Sequence, residues 1–161
     1  MEIEEEIAQG FDSESDENNE EISSPVIIDK IKFSQDKIIA TLQSYNLIKS
    51  QILCPICNKG MTMVNTKDTI DNKYWRCMGK EPAHDQKINI RINSIFEGFK
   101  VQLNTLYYLL FHCFVKNYSI KKAYCETSYF CKVMNQPKPC LKTIVKIFRA
   151  FRTKIKEYYH K

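Results

Sequence analysis

At 161 residues, with 43% hydrophobic and 12% aromatic side chains, the chain has material for one ordinary domain or two very small ones. Its net charge of +5 conceals a division: residues 1–24 hold ten acidic side chains and no basic one, leaving 24 basic against 9 acidic in the other 137. The densest apolar run, LYYLLFHCFV, has ten residues, half of the ~20 that span a bilayer. The start, MEIEEEIAQGF, lacks the basic and apolar regions of a signal peptide.

Taken in order, residues 1–24 are too charged to bury a core and are expected to form a disordered acidic tail, solubilising or laid against the basic body. Residues 25–51 carry an N-terminal helix. FSQDKIIATLQSYNLI predicts it from Ser34 to Ile48, with Ser34 as cap, Asp36 in the first turn, and Ile38, Ile39, Leu42 and Tyr45 at helical spacing. Residues 52–92 break into short alternating pieces with turn signals NKG and DNK, which suit small strands.

From Ile95 the period changes. Phe99, Leu103, Leu106, Tyr107, Leu110, Phe111 and Phe114 predict a helix of roughly six turns to about Asn117, its aromatic stripe being core. Ser119 caps a short helix, SIKKAYCETSYF, and NQPKP ends it. The last helix is expected from Lys138 to Tyr158, with Pro139 in its first turn. Ile144, Ile147, Phe148, Phe151, Ile155 and Tyr158 fall on one side of it, while Lys142, Lys146, Arg149, Arg152 and Lys156 gather on the adjoining side with scarcely an acidic neighbour. The fold class expected is a small α+β zinc protein, a zinc ribbon over 52–92 followed by a mostly α-helical, helix-turn-helix-like bundle over 93–161.

The stretch CPICNKG, residues 54–60, places two thiolates on a tight turn able to grip one ion, with Gly60 letting the turn close. Cys77 returns after a two-stranded excursion. Cys113 lies in the apolar stripe, so His84 is the better fourth donor, with Asp85 or water as the alternative. Cys54, Cys57, Cys77 and His84 form a closed Cys3His set suited to one structural Zn²⁺, with no open position for a catalytic water. Cys113, Cys125, Cys131 and Cys140 match no ligand spacing and read as packed free thiols rather than a second site with His112 or His160. Seven cysteines without a secretion signal fit a reducing compartment. Trp75 and Tyr74 read as ribbon core.

The order of these parts resembles the amino-terminal region of Merlin-type DNA transposases and their bacterial insertion-sequence relatives. The residues that carry the likeness are LIKSQILCPIC, Trp75–Arg76–Cys77, Ile90–Arg91, Ser94–Ile95–Phe96–Glu97 and the long hydrophobic segment after them, with Thr143, Val145 and Arg152 in the final helix. The family signature runs Ser-Ile-Arg, Gly-Ser, Phe-Phe-Glu; Asn89 and Asn93 stand where it has Ser and Gly. The likeness covers about 34–158. It implies a zinc ribbon and a helix-turn-helix segment for duplex DNA, without the family's catalytic nuclease domain, since Lys161 ends the chain given.

The leading expectation is therefore a non-enzymatic DNA-binding module, nuclear in a eukaryote and otherwise cytoplasmic, with a homodimer suiting paired inverted repeats. Lys121, Lys122, Lys146, Arg149, Arg152 and Lys156 would contact phosphates, and Lys138, Lys142 and Thr143 at the start of the last helix would approach base edges. No membrane or small-molecule substrate is expected. The acidic residues beyond Ser24 are scattered, and three histidines leave little for acid–base work. The alternative is a protein–protein interaction module.

Overall fold

Asparagine, rather than glycine, turns this chain. The computed structural model describes residues 33–80 and 82–159, so the acidic tail at 1–24 and His160 lie outside the described residues. Among those residues six non-glycine positions have left-handed backbones, and all are asparagine: Asn46, Asn58, Asn72, Asn93, Asn117 and Asn135, with φ from 51° to 57°. Asparagine's short amide tolerates that region better than other non-glycine side chains.

The architecture is mixed α+β. Helix α1 (Gln35–Ser44) precedes an antiparallel sheet of order β1-β2-β3, with β1 at Thr62–Asn65, β2 at Lys73–Lys80 and β3 at Ala83–Asn89. Helix α2 (Leu103–Tyr108) continues as a π-helical segment, Leu109–Phe114; α3 spans Ile120–Met134 and α4 spans Leu141–Tyr159. The helices pack in sequence, α1 on α2, α2 on α3 and α3 on α4, with the π-helical segment against both α3 and α4. No helix among the described residues is long and apolar enough to cross a membrane.

Helix α1 stops at Ser44 instead of Ile48 because Asn46 turns left-handed. The Asn46 and Leu47 amides donate to the Gln43 and Leu42 carbonyls at 3.0 and 2.8 Å, closing the helix end. Ser34 occupies the N-cap position but makes no side-chain cap bond. Asp36 in the first turn instead pairs with Lys73 of β2 at 2.9 Å, tying helix to sheet.

The six-turn helix expected from Ile95 does not form. Residues 92–102 make tight turns, including Gly98 at φ 81°, and helix begins only at Leu103. The cause is Arg91. Its guanidinium donates to the carbonyls of Phe99 and Val101, both at 2.7 Å, taking acceptors that a continuing helix needs. Further along, Val115 N–H reaches Leu110 O at 2.9 Å, a five-residue step that marks the π-helical winding. The stripe packs on the core all the same: Leu103, Leu106 and Leu110 are buried, while Phe99, Tyr107, Phe111 and Phe114 are half-buried against it.

Ser119 caps α3 as expected, accepting the Lys122 N–H at 3.2 Å. Helix α4 begins at Leu141, not Lys138. The Cys140 carbonyl accepts the Thr143 and Ile144 amides, and Pro139 sits upstream of the first turn. Ile144, Ile147, Phe148 and Phe151 are buried, with Phe114 edge-on to Phe148 and Phe151 at 5.3 and 5.4 Å. Ile155, expected in that stripe, is 45% exposed because the packing partners end before it.

Candidate metal centre and basic helix face

Residues 52–61 fold back on themselves. Leu53 bridges Gly60, and the Cys54 N–H donates to Lys59 O while Asn58 N–H donates to Cys54 O, at 2.8 and 2.9 Å. The left-handed residue that closes this turn is Asn58, at φ 56°, and not Gly60, where an added Cβ would meet nothing within 4 Å. The turn holds Cys54 and Cys57 beside the hairpin of β2 and β3.

That hairpin supplies the other two donors. Cys77 lies in β2 and His84 in β3, with Cys77 opposite Gln86 and Gly79 opposite His84. Because side chains alternate along a strand, Cys77 and His84 share one face as diagonal neighbours. Gly79 makes this possible: a Cβ there would lie 2.0 Å from His84 Cε1 and 2.4 Å from Nδ1. The imidazole occupies the space that a side chain would fill. Asp85 points to the opposite face and forms a two-pronged pair with Arg76, at 2.8 and 2.9 Å, so it is not the fourth donor.

Cys54, Cys57, Cys77 and His84 bring one donor atom each to within 4.8 Å of one another, the one such group among the described residues. Cys54 Sγ lies 3.3 Å from His84 Nε2, and Cys57 Sγ 3.5 Å from Cys77 Sγ. A tetrahedral zinc with Zn–S of about 2.3 Å and Zn–N of about 2.0 Å separates its ligand atoms by roughly 3.5–3.8 Å, so the set fits. His84 Nδ1 lies 2.6 Å from Pro82 O, and a carbonyl can only accept. The proton therefore sits on Nδ1, leaving the Nε2 lone pair facing the sulfurs, the arrangement that orients metal-binding histidines.

The electrostatics point the same way. Burial pushes the Cys54 thiol up, but the amides of Cys57 and Ile56 and the neighbouring thiols outweigh it and bring it down to about 6. Cys77 moves to about 11 through burial and its bonds with Cys57 and Cys54. The Pro82 carbonyl raises His84, burial opposes this, and the nearby Cys54 sulfur adds to the rise. One thiolate thus suppresses ionisation of the next, and a bound divalent cation is what allows all three to ionise together. The Cys3His group can hold a metal ion.

Substituting Gly79 by alanine is the sharpest local test. Its methyl group collides with the His84 ring, and the metal affinity measured by competition with a chelator should drop by 10–100-fold, the usual effect of disturbing a ligand's support. Unchanged affinity would show that His84 is not a ligand. Gly79 was invisible as a site residue in the sequence, although a glycine two positions after a ligand cysteine in a strand is the signal.

The other cysteines separate into two kinds. Cys113 and Cys131 are buried free thiols, as expected, and burial pushes Cys113 up to about 12. Cys125 and Cys140 are exposed instead of packed, since they fall on the solvent side of α3 and at the start of α4. Of the ring residues, Trp75 is buried and Tyr74 half-buried.

Sequence reading named Arg91 only as part of the family likeness and missed its pairing with Asp71, which joins the two halves of the molecule. Asp71 and Arg91 are buried, at 1% and 2% exposure. The Asp71 carboxylate accepts from Arg91 Nε and Nη2 at 2.5 Å and from Leu103 N–H at 3.0 Å, capping α2 from a distant loop. Gln35 in α1 donates to the Asp71 carbonyl. A charged residue isolated within INIRINSIF was the available signal.

The basic residues named for DNA are placed as follows. Lys121 and Lys122 are exposed at the start of α3, with Lys122 Nζ 4.5 Å from the Tyr118 ring centre. Lys138 lies over the Tyr124 ring at 4.0 Å. Lys142, Lys146, Arg149, Arg152 and Lys156 are all exposed, and none has an acidic partner among the described residues; the one ion pair on α4 is Lys154–Glu157. At ~100° per residue these five fill an arc of about 120° opposite the buried face, not beside it. Thr143 is half-buried, its hydroxyl 3.2 Å from Cys140 Sγ. No protein-family model, curated protein or solved structure matches the chain.

Proposed function

We propose that the protein is a zinc-stabilised module that binds duplex DNA through the exposed face of α4 and has no catalytic activity of its own. The observation that carries this reading is the single sign of that face. Five cations run for about 21 Å along the helix axis without a carboxylate partner among the described residues, whereas a merely solvated helix face mixes its charges. The metal-bearing hairpin would then be a zinc ribbon that braces the helices, and α3 with α4 a helix-turn-helix-like pair. Their link, residues 135–140, is longer than the 3–4-residue turn usual in that motif.

Kinship with the amino-terminal region of Merlin-type transposases belongs to the same proposal, and its signature residues have roles that support it. Asn93 adopts φ 57°, the conformation for which the family's glycine is suited. Asn89 Oδ1 accepts the Arg91 N–H, Ser94 Oγ donates to Arg91 O, and Glu97 accepts the Asn93 N–H, at 2.8, 2.6 and 2.8 Å. The signature thus shapes the turn that presents Arg91 to Asp71. Location follows from the DNA reading: the nucleus in a eukaryotic cell, the cytoplasm otherwise.

Lys142→Glu, Lys146→Glu and Arg149→Glu together test the reading. The triple variant should keep its metal and melting temperature but lose duplex affinity by about 100-fold or more at moderate salt. Affinity within twofold of the parent would refute it. A second reading, a protein-docking module or homodimer, draws on exposed Leu53, Ile56 and Met78, each adjacent to a ligand cysteine. It requires self-association that Leu53→Asp abolishes and the charge reversals spare.

A further inference from the structure

A groove of about 410 Å³ opens between the π-helical end of α2 and the C-terminal half of α4. Leu110, Phe114 and Phe148 line it, and Val115 and Ile155, 65% and 45% exposed, form its rims. Two well-exposed aliphatic side chains facing one groove are unusual on a surface otherwise rich in lysine.

Cations surround these apolar walls. Arg152 lines the groove, and Lys122 sits over the ring of Tyr118, another lining residue. Lys116 and Lys156, beside Val115 and Ile155 in sequence, are exposed, and no acidic side chain lines the groove. The matching ligand carries apolar anchors on a run of carboxylates. A DNA backbone offers the charge without the anchors.

The chain itself contains such a segment. In MEIEEEIAQGF, Ile3, Ile7 and Phe11 recur every four residues, with Glu2, Glu4, Glu5 and Glu6 around the first two. On a helix these anchors make one apolar stripe flanked by acid, the pattern by which helices seat in grooves. Residues 12–32 connect it to the described residues, and 21 residues can span about 70 Å, more than the roughly 35–40 Å breadth expected of a body this size. We infer that residues 1–11 dock in cis into the Leu110–Phe148–Ile155 groove, their carboxylates meeting Arg152 and its neighbouring lysines.

Photo-crosslinking of the full-length, zinc-loaded protein with p-benzoylphenylalanine in place of Phe11 tests this directly. The expected adducts lie within one chain, on peptides covering 110–118 and 148–155. They should fall at least fivefold in Ile3→Asp/Ile7→Asp, and likewise in Val115→Asp, an exposed position whose substitution leaves the core intact. Adducts between chains would assign the groove to a second copy and overturn docking in cis; absent or scattered adducts would overturn the docking itself.

The inference draws on the DNA reading only for its consequence, so the two fail separately. If both hold, Ile3→Asp/Ile7→Asp raises duplex affinity several-fold by uncovering Arg152. If neither parent nor variant binds duplex, the DNA reading fails while the crosslinks still decide the docking.

Discussion

Cys77→Ser, or withdrawal of the metal by a chelator, should dismantle the sheet half of the molecule. Structural zinc in small domains supplies an apparent ~10–16 kcal/mol, as much as the ~5–15 kcal/mol by which whole domains are stable. Apart from the Asp71–Arg91 pair and the Asp36–Lys73 bridge, residues 52–89 are held by few apolar side chains: Ile52 and Met61 beside the cysteine turn, and Met63, Trp75 and Ile88 from the three short strands. Trp75 is the one tryptophan and adjoins Cys77 in the same strand, so its emission reports the event. The expected result is a red shift on chelation that added Zn²⁺ reverses, with much of the far-ultraviolet helical signal retained. A Cys77→Ser protein with native emission and unchanged urea midpoint would show that the four donors hold no metal of structural consequence.

The second large effect belongs to the buried ion pair. Arg91→Met leaves the Asp71 carboxylate buried with only the Leu103 N–H, and breaking such a pair from one side costs about 3–5 kcal/mol. Asp71→Leu should cost as much, because it strands the guanidinium. The double variant should recover part of that loss, as apolar replacement of both partners removes the uncompensated charge. Recovery cannot be complete. The Phe99 and Val101 carbonyls also lose their donor, and a buried acceptor without a partner costs about 1–3 kcal/mol. Urea unfolding of the zinc-loaded proteins measures all three; single substitutions costing below about 1 kcal/mol would mean the pair does not join the sheet to the helices.

How far these features could be read from the chain depends on whether their causes are local. The thiol spacing of CPIC, the helical period of α4 and the Ser119 cap are properties of a few adjacent residues; the four donors cluster and the cap forms as expected, and the helix forms too, beginning one turn late at Leu141. The failed prediction over 95–117 had a distant cause. Its leucines sit in the core and its aromatic rings pack against it, but Arg91, held by Asp71 from the β1–β2 loop, takes the carbonyls of Phe99 and Val101 and delays the helix to Leu103. A hydrophobic stripe reports burial, and it cannot report which carbonyls another segment has claimed.

The same distinction separates the parts of the metal centre. Three cysteines and a histidine could be counted from spacing alone, whereas the role of Gly79 depends on the pairing register that sets it opposite His84. Asparagine serves at the left-handed turns, which explains how a chain with four glycines turns so often and why Asn58 rather than Gly60 closes the cysteine turn.

The central claim is that α4 meets the phosphate backbone of duplex DNA. Binding of the zinc-loaded protein to duplex across a salt titration tests it most directly. Each neutralised phosphate contributes about −0.9 to the slope of log K against log salt, so engagement of Lys142, Lys146, Arg149, Arg152 and Lys156 predicts a slope of about −4 or steeper. A slope near zero, or no binding at low salt, would contradict the account and leave the basic face of α4 a solvated surface.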